Sequence, residues 1–137
     1  MNDTSVLKVL LVEPSSLLRR TVAPMVSSLG TAEVTEAAAY ATAQQLSERH
    51  RFDGAVVALD WPPARGVCRV LSLIQQIGSG GGGCAPSIPI AALVKSCNGE
   101  LPQVLRASGI SRILIKPFRV RDVIDTIDGM RGLARTA

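Results

Sequence analysis

The stretch VLKVLLV, residues 6–12, is a nearly unbroken run of aliphatic and β-branched side chains. A run of this kind, without polar alternation, is typical of a strand that is buried on both faces of a parallel sheet. Ser15 or Ser16 can cap a helix after it, and apolar residues recur at helical spacing until Gly30. The apolar positions of this helix are Leu18, Val22, Met25, Val26 and Leu29. The chain therefore begins as a strand, a loop and a helix.

The same alternation of apolar runs and helical spacing continues along the chain. Further strands are predicted at 32–37, 52–59, 88–94 and 112–115, and further helices at about 39–51, 67–77, 101–108 and 120–127. The glycine-rich segment 78–86 predicts a flexible connector. Because right-handed crossovers join parallel strands, the pattern predicts one α/β domain over 1–137, with its core at about 6–130. We expect a doubly wound five-stranded parallel sheet of order 2-1-3-4-5, which is a flavodoxin-like three-layer sandwich.

Composition restricts the function and the location of the protein. Its 137 residues carry a net charge of +4, but the basic residues are scattered and only four residues are aromatic. This combination does not favour nucleic-acid binding. The three cysteines lack metal-site spacing and there is one histidine, so we expect reduced thiols and no metal site. No apolar run approaches the roughly 20 residues that cross a bilayer, so we expect a cytoplasmic protein without membrane insertion.

In a doubly wound sheet, ligands bind where the strand order reverses, at the carboxyl ends of the first and third strands. In this chain those ends are Glu13, Pro14 and residues 58–61. We expect these residues to determine the chemistry of the domain.

The order of these elements resembles the receiver domain of two-component response regulators, from about Lys8 to Met130. Three local strings carry the resemblance: DGAVVALDWPPARG at 53–66, SGISRILIKPF at 108–118, and within it KPF at 116–118. The resemblance implies a role in phosphorelay signal transduction.

The resemblance also implies a set of functional positions, and most of them carry the wrong side chain. The phospho-accepting aspartate would stand four residues before Pro62 and eight before Gly66, which is Ala58. The other implied positions are Glu13 and Pro14 for two magnesium-binding acids, Val94 for a hydroxyl residue, Ile113 for a switching aromatic residue and Lys116 for a lysine. Since only Glu13 and Lys116 keep a matching side chain, we expect an atypical receiver that is not an enzyme and uses no cofactor.

Asp60 is the nearest acid that could replace the missing nucleophile. Two residues along an extended chain move it about 6–7 Å outward. Reacting atoms need a separation of about 3–3.5 Å, so we interpret Asp60 as a turn-initiating acid before Trp61. The alternative is a magnesium-dependent receiver that accepts a phosphoryl group on Asp60 or Glu13, with both acids holding a weakly bound metal ion.

Lys116 follows a predicted buried strand, where an unpaired ammonium group is costly. Glu13 has a side chain long enough to reach it across the site and form an ion pair. The alternative is a solvated lysine whose head group extends outward into water.

The resemblance implies that partners bind the surface of the fourth predicted helix, the fifth strand and the last helix. The arginines of this surface are Arg106, Arg112, Arg119 and Arg121. Arginine suits protein recognition because its guanidinium pairs with a carboxylate through two hydrogen bonds. A partner could be a histidine kinase, an output protein, another receiver or a second copy of this chain. Ile113 is stiff in χ1, so we expect the domain to hold one state.

Overall fold

The structure is a computed structural model that describes residues 7–28, 32–50, 52–59, 88–94, 103, 106, 110–116 and 118–136. Its elements, in chain order, are β1 (Leu7–Val12), α1 (Ser16–Ser28), β2 (Ala32–Ala37), α2 (Tyr40–Arg49), β3 (Gly54–Ala58), β4 (Ile90–Val94), β5 (Ile110–Ile115) and α3 (Val120–Thr136). The predicted helix at 67–77 and the connector at 78–86 lie outside the described residues. Of the predicted helix at 101–108, Gln103 and Arg106 are described, and both are helical.

The five strands form one parallel sheet of order β2-β1-β3-β4-β5, which confirms the predicted fold class and strand order. The register pairs Val12 with both Ala37 and Val57, and it pairs Val94 with Ile115. Because all strands run the same way, their carboxyl ends lie along one edge of the sheet.

Helices cover both faces of this sheet, and the alternation of side chains along each strand divides the core into two layers. Ala55 and Val57 of β3 pack in one layer with Tyr40 and Ala43 of α2. Val56 and Ala58 pack in the other layer with side chains of α1 and α3, which are Val22, Val26, Val123, Ile127 and Met130. Every residue of β3 and β4 is buried, as expected for central strands of a parallel sheet.

Helix α1 begins where the sequence predicted, because the N–H of Leu18 donates to Ser15 Oγ at 3.3 Å. Met25 is one of the apolar residues at helical spacing, but it does not join the buried face of α1, since it is 51% exposed. Successive residues of a helix are about 100° apart, so Ala23 and Met25 flank Val22 and Val26 on opposite sides. Ala23 completes the buried face, and Met25 lies outside it.

The amino end of β3 lies against the last helix with no space for a side chain. A Cβ atom added to Gly54 would lie 2.7 Å from the sulfur of Met130 and 3.5 Å from the carbonyl oxygen of Pro89. Gly54 therefore permits a close approach between β3 and α3.

None of the helices in the described part of the chain is both long and apolar enough to cross a lipid bilayer.

Candidate functional site

The carboxyl edge of the sheet gathers Glu13, Ala58, Val94 and Lys116, which we call the carboxyl-edge site. Glu13 follows the last residue of β1, Ala58 and Val94 end β3 and β4, and Lys116 follows β5. The N–H of Lys116 donates to the carbonyl oxygen of Val94 at 2.7 Å, so the β4–β5 ladder continues to this edge. Alternation along the strands directs Glu13, Ala58 and Lys116 toward the layer of α1 and α3, whereas Val94 packs in the layer of α2.

Glu13 is a buried carboxylate with both of its oxygens engaged. Its side chain is 1% exposed, and Oε1 lies 2.9 Å from Nζ of Lys116, whose side chain is 15% exposed. The N–H of Ser15 donates to Oε2 at 2.9 Å. The predicted ion pair between Glu13 and Lys116 is thus confirmed, and the alternative of a solvated lysine is wrong. A charge this deeply buried requires such compensation.

The ion pair connects two strands that are not neighbours. In the strand order, β3 and β4 lie between β1 and β5, and three strand spacings amount to about 14 Å. The side chains of Glu13 and Lys116 therefore extend toward each other across the ends of the two central strands. Their pairing ties the first strand to the edge strand.

Ala58 places a methyl group at the carboxyl end of β3, and it is completely buried. Its carbonyl oxygen accepts a buried hydrogen bond of 2.7 Å from the hydroxyl of Tyr40, the first residue of α2. Tyr40 therefore fixes the end of β3 from the opposite layer. This role of Tyr40 was not predicted from the sequence, where its only signal is a lone aromatic side chain in the helix at Tyr40–Arg49.

Arg19 was also missed, and it holds the loop between β1 and α1. Its Nη1 donates to the carbonyl oxygens of Glu13 at 2.6 Å and of Pro14 at 3.3 Å. Its Nε lies 3.6 Å from the carboxylate of Glu36 in β2. Pro14 itself is exposed, so the position that the resemblance assigns to a metal-binding acid contributes only a backbone oxygen, which faces Arg19.

The donors of the carboxyl-edge site do not fit the magnesium ion that the resemblance implies. Magnesium needs several oxygen ligands in octahedral geometry. Glu13 is committed to Lys116 and to the Ser15 N–H, and Ala58 has no side-chain oxygen. Across the described ranges there is no group of three His, Cys, Asp or Glu residues that could hold a metal ion. Asp60 lies outside the described residues.

The four arginines of the predicted partner surface are all exposed: Arg106, Arg112, Arg119 and Arg121. Ile113 is half-buried and packs against the layer of α2, whereas Ile115 of the same strand is 53% exposed. The N–H of Arg119 donates to the carboxylate of Asp122 at 3.0 Å, which closes the first turn of α3. The arginines are therefore accessible from solvent.

No protein-family model matches this chain, and no curated protein matches it. Solved structures do match it. The chemotaxis protein CheY4 of Vibrio cholerae is 25% identical, with a TM-score of 0.75, over 92% of this chain and 99% of that one. The signal receiver domain of an HD domain-containing protein from Pseudomonas fluorescens Pf-5 is 19% identical, with a TM-score of 0.79, over 97% and 100% of the two chains.

A third similar structure is the receiver domain of the sensor histidine kinase PA1611 from Pseudomonas aeruginosa PAO1. It is 24% identical, with a TM-score of 0.72, over 93% of this chain and 99% of that chain. Its structure contains a magnesium ion coordinated in the active-site cleft.

Sheet order and these similarities define the class of the domain as a doubly wound signal-receiver fold. More specifically, the chain has the CheY-like receiver-domain fold of two-component response regulators.

Replacing Tyr40 with phenylalanine is expected to lower the free energy of unfolding by about 1 kcal/mol, because the buried carbonyl of Ala58 loses its hydroxyl donor. Urea unfolding followed by circular dichroism measures this change. The ring itself is retained, so its packing stays nearly constant. An unchanged midpoint of unfolding would show that the hydroxyl does not support the end of β3.

Proposed function

We propose that this chain is an atypical receiver module of two-component or phosphorelay signalling that acts by binding another protein. On this proposal it accepts no phosphoryl group and is not an enzyme. The observation that supports it most is the buried methyl group of Ala58 at the carboxyl end of β3, beside a Glu13 carboxylate with both oxygens engaged.

The chemistry of phosphoryl transfer supports this proposal. An acyl phosphate forms only when a carboxylate oxygen attacks phosphorus in line with the leaving group. The methyl group of Ala58 has no such oxygen. Glu13 has two, but Oε1 contacts the ammonium of Lys116, Oε2 accepts the N–H of Ser15, and the side chain is 1% exposed. A phosphodonor would have to displace both contacts before it could reach the carboxylate.

Protein binding is the activity that remains for a domain of this fold. The exposed guanidinium groups of Arg112, Arg119 and Arg121 can pair with carboxylates of a partner through two hydrogen bonds each. Ile113 is β-branched and packs against the core, so it does not rotate as an aromatic side chain would. We therefore propose constitutive binding to a histidine kinase, an output protein or another receiver in the cytoplasm, with a second copy of the chain as a further partner.

A second candidate function is a magnesium-dependent receiver that accepts a phosphoryl group on Asp60 or Glu13. The observation that favours it is the similarity to the receiver domain of PA1611, whose cleft coordinates magnesium. The two candidates differ in one measurable product, a covalent phosphoryl adduct.

Incubating the whole chain with acetyl phosphate and magnesium is expected to leave its intact mass unchanged. A phosphorylatable receiver treated in parallel should gain the mass of one phosphoryl group, which shows that the donor is active. The variants Asp60→Asn and Glu13→Gln should match the wild type. A stoichiometric, base-labile adduct on the wild type would overturn the proposal, and its loss in one of these variants would identify the acceptor.

A further inference from the structure

We infer that the ammonium group of Lys116 is a built-in counter-ion that takes the place of a divalent cation at the carboxyl edge of the sheet. The inference deepens the proposed function and rests on it. It states that the carboxyl-edge site keeps its conformation without magnesium, because Lys116 supplies the positive charge and Pro14 and Ala58 add no second carboxylate.

The charge of Glu13 is already balanced by contacts within the chain. Removing the Glu13 carboxylate from water has a cost that an opposite charge at short distance must offset. Lys116 supplies this charge at 2.9 Å from Oε1, and the N–H of Ser15 supplies the second donor at 2.9 Å from Oε2. A magnesium ion at Glu13 would have to compete with both contacts.

Pro14 and Ala58, which lie next to Glu13, offer no side-chain oxygen to a metal ion. Pro14 has no side-chain oxygen, and its backbone carbonyl accepts a hydrogen bond from Arg19. Ala58 presents a methyl group. Among the described residues, neither Pro14 nor Ala58 therefore adds a carboxylate next to Glu13. One carboxylate is a poor site for an ion that needs octahedral oxygen ligands.

The ion pair between Glu13 and Lys116 also links two strands of the sheet. The ion pair crosses the ends of β3 and β4 and links β1 to β5, so the charge of Lys116 lies among strand ends. A cation fixed covalently to β5 needs no concentration of free ions to remain bound. The link between these strands should therefore persist whether or not magnesium is present.

The test compares thermal unfolding of the whole chain in magnesium chloride and in sodium chloride of equal ionic strength. A ligand that binds the folded state raises Tm. We expect the Tm of the wild type to differ between the two salts by less than about 1 °C, because no magnesium ion binds at Glu13. A bound ion would raise Tm by more than this. Ala58→Asp adds a carboxylate beside Glu13, so in sodium chloride its Tm should be lower than that of the wild type. In magnesium chloride the Tm of this variant should rise by several degrees, because two carboxylates can hold the ion. Ala58→Asn, the matched neutral variant, should show no difference between the salts.

A wild-type Tm that rises with magnesium as much as that of Ala58→Asp would overturn the inference, as would an Ala58→Asp variant that folds and shows no response. If Ala58→Asp does not fold, manganese added to the wild type gives an independent answer, because manganese takes the same oxygen ligands and broadens nearby amide signals in nuclear magnetic resonance spectra. Sharp signals from Glu13 and Ser15 support the inference, and selective broadening overturns it. If magnesium raises the Tm of the wild type and no phosphoryl adduct forms, this inference alone is wrong. If an adduct forms, the proposed function is wrong.

Discussion

Replacing Lys116 with methionine is expected to lower the free energy of unfolding by about 3–5 kcal/mol, because it leaves the buried carboxylate of Glu13 without its counter-ion. Methionine keeps most of the length and volume of the lysine stem. The loss is therefore a loss of charge rather than of packing. Equilibrium unfolding in urea, followed by circular dichroism, measures it directly.

Lys8 provides the matched control for this substitution. Lys8 lies on β1 and is exposed to solvent. The same change to methionine there removes a lysine charge that is already solvated. Lys8→Met should therefore change stability by no more than about 0.5 kcal/mol. Equal effects of Lys8→Met and Lys116→Met would mean that the charge of Lys116 is solvated, and the account of the carboxyl-edge site would be wrong.

Gly54→Ala is expected to lower the free energy of unfolding by about 1–3 kcal/mol, because the new methyl group overlaps a packed core. The added carbon would lie 2.7 Å from the sulfur of Met130, and Met130 is 1% exposed, so its side chain can avoid the new methyl group only by repacking within the core. The restriction of the unfolded chain by alanine offsets only about 0.4–1 kcal/mol of this cost.

Gly129→Ala is the matched control, since a Cβ at Gly129 meets no atom within 4 Å. Gly129 lies inside α3, where alanine is favoured over glycine by about 0.8–1.0 kcal/mol. The same substitution should therefore raise stability at Gly129 and lower it at Gly54. Stabilisation at both positions would show that β3 and α3 do not approach each other as closely as the structure has them.

The parts of the fold that the sequence predicted are those with strong local patterns. Continuous aliphatic runs identify β1, β3 and β4, since central parallel strands are buried on both faces and need no polar alternation. Right-handed crossovers restrict the possible sheet topologies, and the order 2-1-3-4-5 was predicted as the most economical of them. The exposure of Met25 could not be predicted, because helical spacing alone does not decide which flank of an apolar stripe faces the sheet. The structure places Ala23 there instead.

The candidate site was predictable where charge was the signal. Glu13 and Lys116 could be paired in advance, because each follows a strand that the sequence predicts to be buried, where an uncompensated charge is costly. Tyr40 and Arg19 act through backbone carbonyls of Ala58, Glu13 and Pro14. Residue type marks Tyr40 as a lone aromatic side chain, but neither residue type nor spacing shows which carbonyl a side chain contacts. Only the tertiary structure reveals them.

The carboxyl-edge site as a whole is fixed by several contacts of different kinds. The ion pair joins β1 to β5, the Tyr40 hydroxyl holds the end of β3, and Arg19 connects the loop after β1 to Glu36 of β2. Four of the five strands are thus tied at their carboxyl ends by side chains of this chain. A domain held in this way suits constitutive binding rather than switching, which agrees with the proposed function.

The energetic coupling between Glu13 and Lys116 tests the central claim most directly. Unfolding free energies of the wild type, Glu13→Gln, Lys116→Met and the double variant form a double-mutant cycle. The account predicts a coupling energy of about 2–3 kcal/mol, with the double variant more stable than Lys116→Met, because removing both charges leaves no unpaired charge in the core. Effects that add to within about 0.5 kcal/mol would contradict it, since two residues that compensate each other's charge cannot act independently.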